Sequence, residues 1–407
     1  MVKIKSLKGR LSLLRQQAGA IKGERVTPDP TLSEPFNIHS SQPPVKGIAD
    51  SQLAELIQGD VIAPGLVLRE SRCPLNGKHG SQPLGDVFSL ACPDMFAVDG
   101  FAQDRLVFLD TETTGLSGGS GTVVFLLALG FIEPAHFRVK QYFMNGFRGE
   151  KTMLSLAVED IINVDTVVSY NGKAFDLPLL ATRYRLQRLA CSFSQLQHID
   201  LLYFTRKAFR KRWPDCRLQT AEQQLLAFYR QDDLPGWLIP EVWQALVQQG
   251  VVAQIPALTK HNELDLVSLL ALIPALSAVF NPTSTEFMRA NLLGVARHWY
   301  RLGKLHKAID TLAAHEALLD ITSSLELATL YRRQNEWNAA VAIWQRLVVK
   351  NNTDAMMCLA KYYEHVIKDL PMALDLTQQL ICQDQLRMAE HRHRQQRLMR
   401  RLAMGTQ

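Results

Sequence analysis

The sequence predicts an α/β domain built on a mixed β-sheet, followed by an all-α region of helical repeats. Two observations predict it. Between Arg105 and Ile199, strand-like runs come first in close succession and then in alternation with helical periodicity. Beyond about Glu286 the chain is helical, and small and aromatic residues recur at a near-constant interval. Both patterns rest on side-chain period, which is 2 along a strand and 3.6 along a helix.

The elements follow in order. Residues 1–50 are polar, basic and broken by five prolines, and read as an extended arm with a short helix from Ser6 to Gln17. Residues 51–103 read as a small lead-in packing on the next domain, with turns at Gly59-Asp60 and Pro64-Gly65 and a strand at Leu66–Leu68. The α/β domain covers 104–282. Its strands are expected at Arg105–Asp110, Val123–Phe131, Phe137–Phe143, Thr166–Tyr170 and Gln197–Ile199, with helices over Glu150–Ile162 and Phe175–Leu189. Such an order fits several α/β folds.

Residues 286–383 form the helical part, and 384–407 a basic tail. Ala296, Ala328 and Ala360 stand 32 residues apart, and Ala308, Ala340 and Ala373 stand 32 and 33 apart. Tyr300, Tyr331 and Tyr363 keep nearly the same step. Small residues at fixed positions let paired helices approach closely. The period and the alanines resemble tetratricopeptide repeats, with a plain helical bundle as the alternative. The resemblance implies a short solenoid that binds another protein.

Composition narrows the function classes. Length 407 suggests two to three domains, and 47% hydrophobic residues suffice for sizeable cores. Six scattered cysteines form no CxxC pair, which argues for free thiols rather than a zinc site or a disulfide scaffold. The basic start of the chain has no apolar run of a secretory signal. The most apolar stretch, Leu264–Phe280, contains Asp265 and Pro274 and reads as too short and interrupted to cross a bilayer. A cytoplasmic protein without membrane partners is expected. The net charge of +6 is clustered: at residues 1–25, at Gln385–Arg401, and at Arg206, Lys207, Arg210, Lys211, Arg212 and Arg217. Clustered basic charge suits a polyanion such as nucleic acid, although charge runs are also commonly solvated faces.

Three motifs carry the candidate chemistry. In Leu109-Asp110-Thr111-Glu112-Thr113-Thr114-Gly115-Leu116, two carboxylates at i and i+2 share one face of a strand. They follow a buried run, where unpaired carboxylates are expensive, and hard oxygen ligands suit Mg²⁺ or Mn²⁺. In Tyr170-Asn171-Gly172-Lys173-Ala174-Phe175-Asp176-Leu177-Pro178, a strand gives way through a glycine turn to a helix starting near Asp176. Asp176 is equally suited to capping that helix. In His261-Asn262-Glu263-Leu264-Asp265, an imidazole and a carboxylate lie one helical turn apart. That pairing suits a metal ligand beside a proton acceptor. Each motif alone has a plain structural explanation: an exposed acid pair, a helix cap, a surface His/Asp pair.

Together, in this order, the motifs resemble the DEDD exonuclease superfamily, and specifically its YprB-like branch of ribonuclease H-like proteins, over Arg105 to Leu276. The resemblance implies a ribonuclease H-like mixed sheet and a 3′→5′ exonuclease acting on single-stranded nucleic acid through two divalent ions, Mg²⁺ or Mn²⁺. It implies that Asp110 bridges both ions, that Glu112 and Asp265 ligate one, and that Asp176 holds the other. It assigns His261 to the attacking water. One departure stands out: His261 precedes Asp265 by four positions, where histidine-type members use five. Thr113, Asn171, Lys173, Arg210 and Lys211 are further candidates for substrate contact. Asp200 reads as a cap or structural acid, and Ser117–Gly121 as a flexible strand connection rather than a phosphate cradle. A non-catalytic adaptor using the repeats, or a structure-specific endonuclease of the same fold, are the alternatives.

Overall fold

Seven strands join into one mixed sheet in the order β1-β2-β7-β6-β5-β8-β9 in the computed structural model, which describes residues 47–115 and 121–405. The strands are β1 (Asp60–Ala63), β2 (Leu66–Pro74), β5 (Leu106–Thr113), β6 (Val124–Ile132), β7 (His136–Met144), β8 (Thr166–Ser169) and β9 (Gln197–Asp200). A separate two-stranded ribbon pairs β3 (Lys78–His79) with β4 (Gln82–Pro83). Neighbours from β1 through β5 run antiparallel, and β5, β8 and β9 run parallel. β5 and β6 are near-continuous apolar runs because helices cover both sheet faces. The basic arm at 1–46 and the glycine-rich connection at 116–120 lie outside the described residues.

The sheet begins earlier than the sequence suggests. β2 runs nine residues rather than three and pairs along its whole length with β7, from Leu66 opposite Met144 to Pro74 opposite His136. Its outer half alternates toward solvent, so hydropathy fades after Leu68 while the ladder of hydrogen bonds continues. The first part of the lead-in is therefore the helix Asp50–Ile57 and two strands of the same sheet.

One face packs Leu109, Leu127 and Tyr142 against the helices Glu150–Asp160, Asp176–Leu186 and Ile239–Gln249. The other packs Phe108, Ala128 and Val139 against Leu201–Phe209 and the long helix Ile255–Val279. That helix runs 25 residues straight through Pro274, where the sequence suggested an interruption. By length and composition it could cross a membrane, but 83% of its apolar window is buried inside the protein. From Leu266 to Val279 it is apolar nearly all round because it is enclosed there on every side, which leaves no amphipathic stripe to read.

The second core continues without a break into the helical region. There the helices Leu292–Arg301, Leu305–Ala313, Ile321–Arg333, Trp337–Val349, Thr353–Tyr362 and Leu370–Gln383 each pack on the next. Ala296, Ala308, Ala328, Ala340, Ala360 and Ala373 are all fully buried. The basic end of the chain is not a loose tail. It forms the helix Met388–Gly405, packed on Leu370–Gln383. Arg394, Arg397 and Arg401 of that helix converge on the buried Glu364.

Candidate active site

β5 ends the apolar core with alternating acids. Asp110 and Glu112 both turn toward the helix Ile255–Val279, as their i, i+2 spacing requires. Thr111, between them, points to the other face and donates its hydroxyl proton to Asp176. Asp110 accepts from Nδ2 of Asn262 at 2.7 Å, and Asn262 accepts in turn from Gln141 at 2.7 Å. The register explains this relay. Asp110 stands opposite Ala128 on β6, Ala128 opposite Gln141 on β7, and Gln141 opposite Arg69 on β2. All four share one face, and the small Ala128 leaves the gap across which Asn262 links its neighbours.

The turn after β8 sets Asp176. Asn171 takes a left-handed φ of 70°, and Asp200 accepts from the backbone N–H of Asn171 (2.8 Å), Lys173 (3.1 Å) and Leu202 (3.1 Å). Asp200 is thus the cap and loop anchor expected of it. A Cβ at Gly172 would lie 2.4 Å from Ser169 Oγ and 3.3 Å from Asp176 Oδ2. Only glycine lets the turn close beneath the carboxylate. Asp176 is the first residue of its helix, following Phe175 at the cap position, and its side chain is held by Thr111.

The long helix supplies the rest. His261 and Asp265 lie one turn apart with Nε2 3.6 Å from Oδ2. His261 Nδ1 is 2.7 Å from Asp233, which puts the proton on Nδ1 and leaves the Nε2 lone pair toward Asp265. Arg230 is buried against Asp265 and Glu222, and it also reaches Asp233 at 3.2 Å. Asn262, Arg230, Asp233 and Glu222 escaped the sequence reading. Asn262 sits inside a motif that was read only for its ends. The other three come from a segment 28 to 46 residues before the helix positions they meet.

The site carries excess negative charge. Burial, and then the charges of Asp265, Glu112 and Asp176, push the Asp110 carboxyl well above the usual range. Burial, Asp265 and Asp176 do the same to Glu112, while Arg230 opposes them. Burial raises Asp176 to about 6 despite its bond from Thr111. Burial works against the Arg230 charge, but Asp265 and Glu222 outweigh it. One guanidinium does not balance this many carboxylates, and the donor set fits a hard divalent cation. Glu112, His261 and Asp265 offer ligand atoms that all lie within 4.8 Å of one another. His261 therefore joins the possible ligands, a place the sequence reading gave only to acids. Asp110 and Asp176 lie outside this tight group, each with one oxygen already held by Asn262 or Thr111.

The remaining candidates scatter. Thr113 is buried and donates to the Gly115 carbonyl. Asn171 and Lys173 are exposed on the turn, with Lys173 over the Tyr203 ring. The internal basic cluster divides. Lys207 turns away to His298, Lys211 acts on Asp320 in the helical region, and Arg210 is exposed near Cys216. Among the described residues of that cluster, Arg217 alone lines the cavity that holds His261 and Asp265.

The β7-β6-β5-β8-β9 core carries its acids at the end of the central strand, β5. Residues 107–277 match the RNase_H superfamily, and this part of the chain has a ribonuclease H-like fold. The chain as a whole has a more particular likeness. It is 29% identical over 329 residues to the uncharacterized protein YprB of Bacillus subtilis (strain 168), across 77% of this chain and 79% of that protein. Among solved structures, the family B DNA polymerase from the hyperthermophilic archaeon Pyrobaculum calidifontis aligns at 16% identity with a TM-score of 0.35, over 51% of this chain and 30% of the polymerase chain.

Proposed function

We propose that this protein is a metal-dependent nuclease that hydrolyses phosphodiester bonds at the 3′ ends of single-stranded DNA or RNA. The observation that carries the proposal is the convergence of Glu112, His261 and Asp265 within 4.8 Å, with Asp110 and Asp176 alongside. Two divalent ions, Mg²⁺ or Mn²⁺, held by Asp110, Glu112, Asp176 and Asp265, would supply charge stabilisation at the entering and leaving oxygens of an in-line displacement. His261 Nε2 takes the proton of the attacking water, and Asp233 holds the imidazole in the tautomer that can do so. Asn262 keeps the Asp110 carboxylate in one orientation. The product is a nucleoside monophosphate. We further propose that the helical region is a tetratricopeptide-like repeat docking a protein partner, on the strength of its period and its buried alanines.

Arg230 lodged against Asp265 favours a second reading, a nucleic-acid-binding adaptor whose acids are neutralised from within. The test separates the two. Purified protein with Mg²⁺ or Mn²⁺ is given end-labelled single- and double-stranded DNA and RNA, beside Asp110→Ala. Degradation from the 3′ end is expected, abolished by EDTA and reduced more than about 100-fold by the substitution, since even supporting groups around a metal cost 10- to 100-fold. Binding without cleavage across the panel would establish the adaptor, and internal cuts an endonuclease.

A further inference from the structure

The cavity beside the acids has lining residues of a second chemistry. It encloses about 690 Å³ and is lined by Arg230, Asp233, His261 and Asp265 and also by Arg217 and Trp237. Trp237 is 65% exposed. It stands on the short turn Gly236–Leu238, between Pro235 and the prolyl-started helix Ile239–Gln249, and a Leu238-to-Pro235 backbone bond closes the turn. Its indole has no ring or hydrogen-bond partner among the described residues. The neighbouring Trp243, by contrast, is buried, stacked on Phe125 and donates to the Met144 carbonyl. The Arg217 side chain is 84% exposed and meets its nearest acid, Asp215, only at 3.9 Å.

Acids and the ions they would hold can take a phosphate but offer nothing to a base, so recognition of the base has to come from elsewhere in the same cavity. A flat, open indole and an exposed guanidinium are groups that take a base and a neighbouring phosphate of one strand. We propose that Trp237 and Arg217 form a binding lip for the terminal nucleotide of a single strand, Trp237 stacking on its base and Arg217 meeting a backbone phosphate. The assignment rests on the nuclease reading above and names residues that would hold the substrate's end. A terminal base in a duplex is held by its partner and by the neighbour beneath it, so bringing it onto the indole costs unpairing and unstacking, and the lip selects unpaired ends. Stacking recognises every base, so the lip is tolerant of sequence.

The test uses the full chain with Mn²⁺ and single-stranded oligonucleotides. Trp237→Ala should raise KM about 5- to 150-fold at nearly unchanged kcat, the equivalent of the ~1–3 kcal/mol that one stacked base contributes. Trp237→Phe should restore most of it, which a misfolded variant would not. On an oligonucleotide with an abasic residue at the digested end, wild type and Trp237→Ala should become equal. Arg217→Ala should lower the slope of log affinity against log salt by about 0.7, one phosphate contact on a single strand. If wild type degrades the oligonucleotides while Trp237→Ala keeps its KM, or is equally impaired on the abasic substrate, the lip is refuted and the nuclease stands. If wild type neither binds nor degrades any strand, both readings fall together.

Discussion

The imidazole of His261 is fixed by a residue that no motif contains. Asp233 accepts from Nδ1 at 2.7 Å and is itself held by Arg230 at 3.2 Å. The four-residue spacing of His261 and Asp265 puts both groups on one stripe of the helix, and Asp233 then decides which ring nitrogen is left free. Asp233→Asn keeps the shape but loses the charge and the certainty of the tautomer. We expect kcat to drop roughly 100-fold, within the range that general-base catalysis contributes, with KM little changed. Steady-state kinetics on a labelled oligonucleotide would check it, and an unchanged kcat would remove Asp233 from the mechanism. The local halves of the site were legible in the sequence because period carries them: i, i+2 on β5 and i, i+4 on the long helix. Asp233, Arg230 and Glu222 were not, because contact between a loop and a helix so far along the chain leaves no periodic trace.

At the scale of elements, the cross-strand row from Arg69 through Gln141 and Ala128 to Asp110 couples the sheet to the long helix. Ala128 is fully buried, and its size decides whether Asn262 can reach both Gln141 and Asp110. Ala128→Leu should destabilise the fold by about 1–3 kcal/mol through overpacking, and it should cost activity beyond what that loss explains. Urea denaturation gives the first quantity and turnover at fixed folded fraction the second; a stable variant with full turnover would show the row to be passive. Strand positions followed closely from hydropathy where both faces are buried, as for β5 and β6. They were lost in the outer half of β2, where pairing rather than burial extends the strand. Pro274 misled for the converse reason. Packing on every side holds the helix through a residue that weakens it locally.

For the molecule as a whole, the sheet and the helical region share one core, and a polar clasp ties them. Lys207 reaches His298 Nδ1 at 2.7 Å, while His298 Nε2 donates to the Met95 carbonyl at 2.8 Å. Phe204 and Phe280 pack edge-on against the same ring. Burial, and then the Lys207 charge, lower the His298 pKa from 6.5 to about 4. Below 6.5 the unfolded chain binds a proton that the folded one refuses, so stability falls as pH drops from about 6.5 to about 4. The loss is at most ~3 kcal/mol from this residue. His79, buried against Ser268 and also lowered to about 4, adds to the same window. Urea midpoints at pH 7 and pH 4.5 should therefore differ, and His298→Gln should shrink the difference. An equal difference in the variant would place the sensitivity elsewhere.

The unbroken helix Ile255–Val279 has a mechanical consequence. His261 and Asp265 are the seventh and eleventh of its 25 residues, and its far end is embedded with Phe280 among the helices that follow. At a rise of 1.5 Å per residue it is a rod of about 37 Å. A rod of that length converts a small tilt at the far end into a displacement of the imidazole and carboxylate relative to Asp110 and Glu112, which are anchored in the sheet. Displacing the helical region would thus move His261 and Asp265 against the acids of β5.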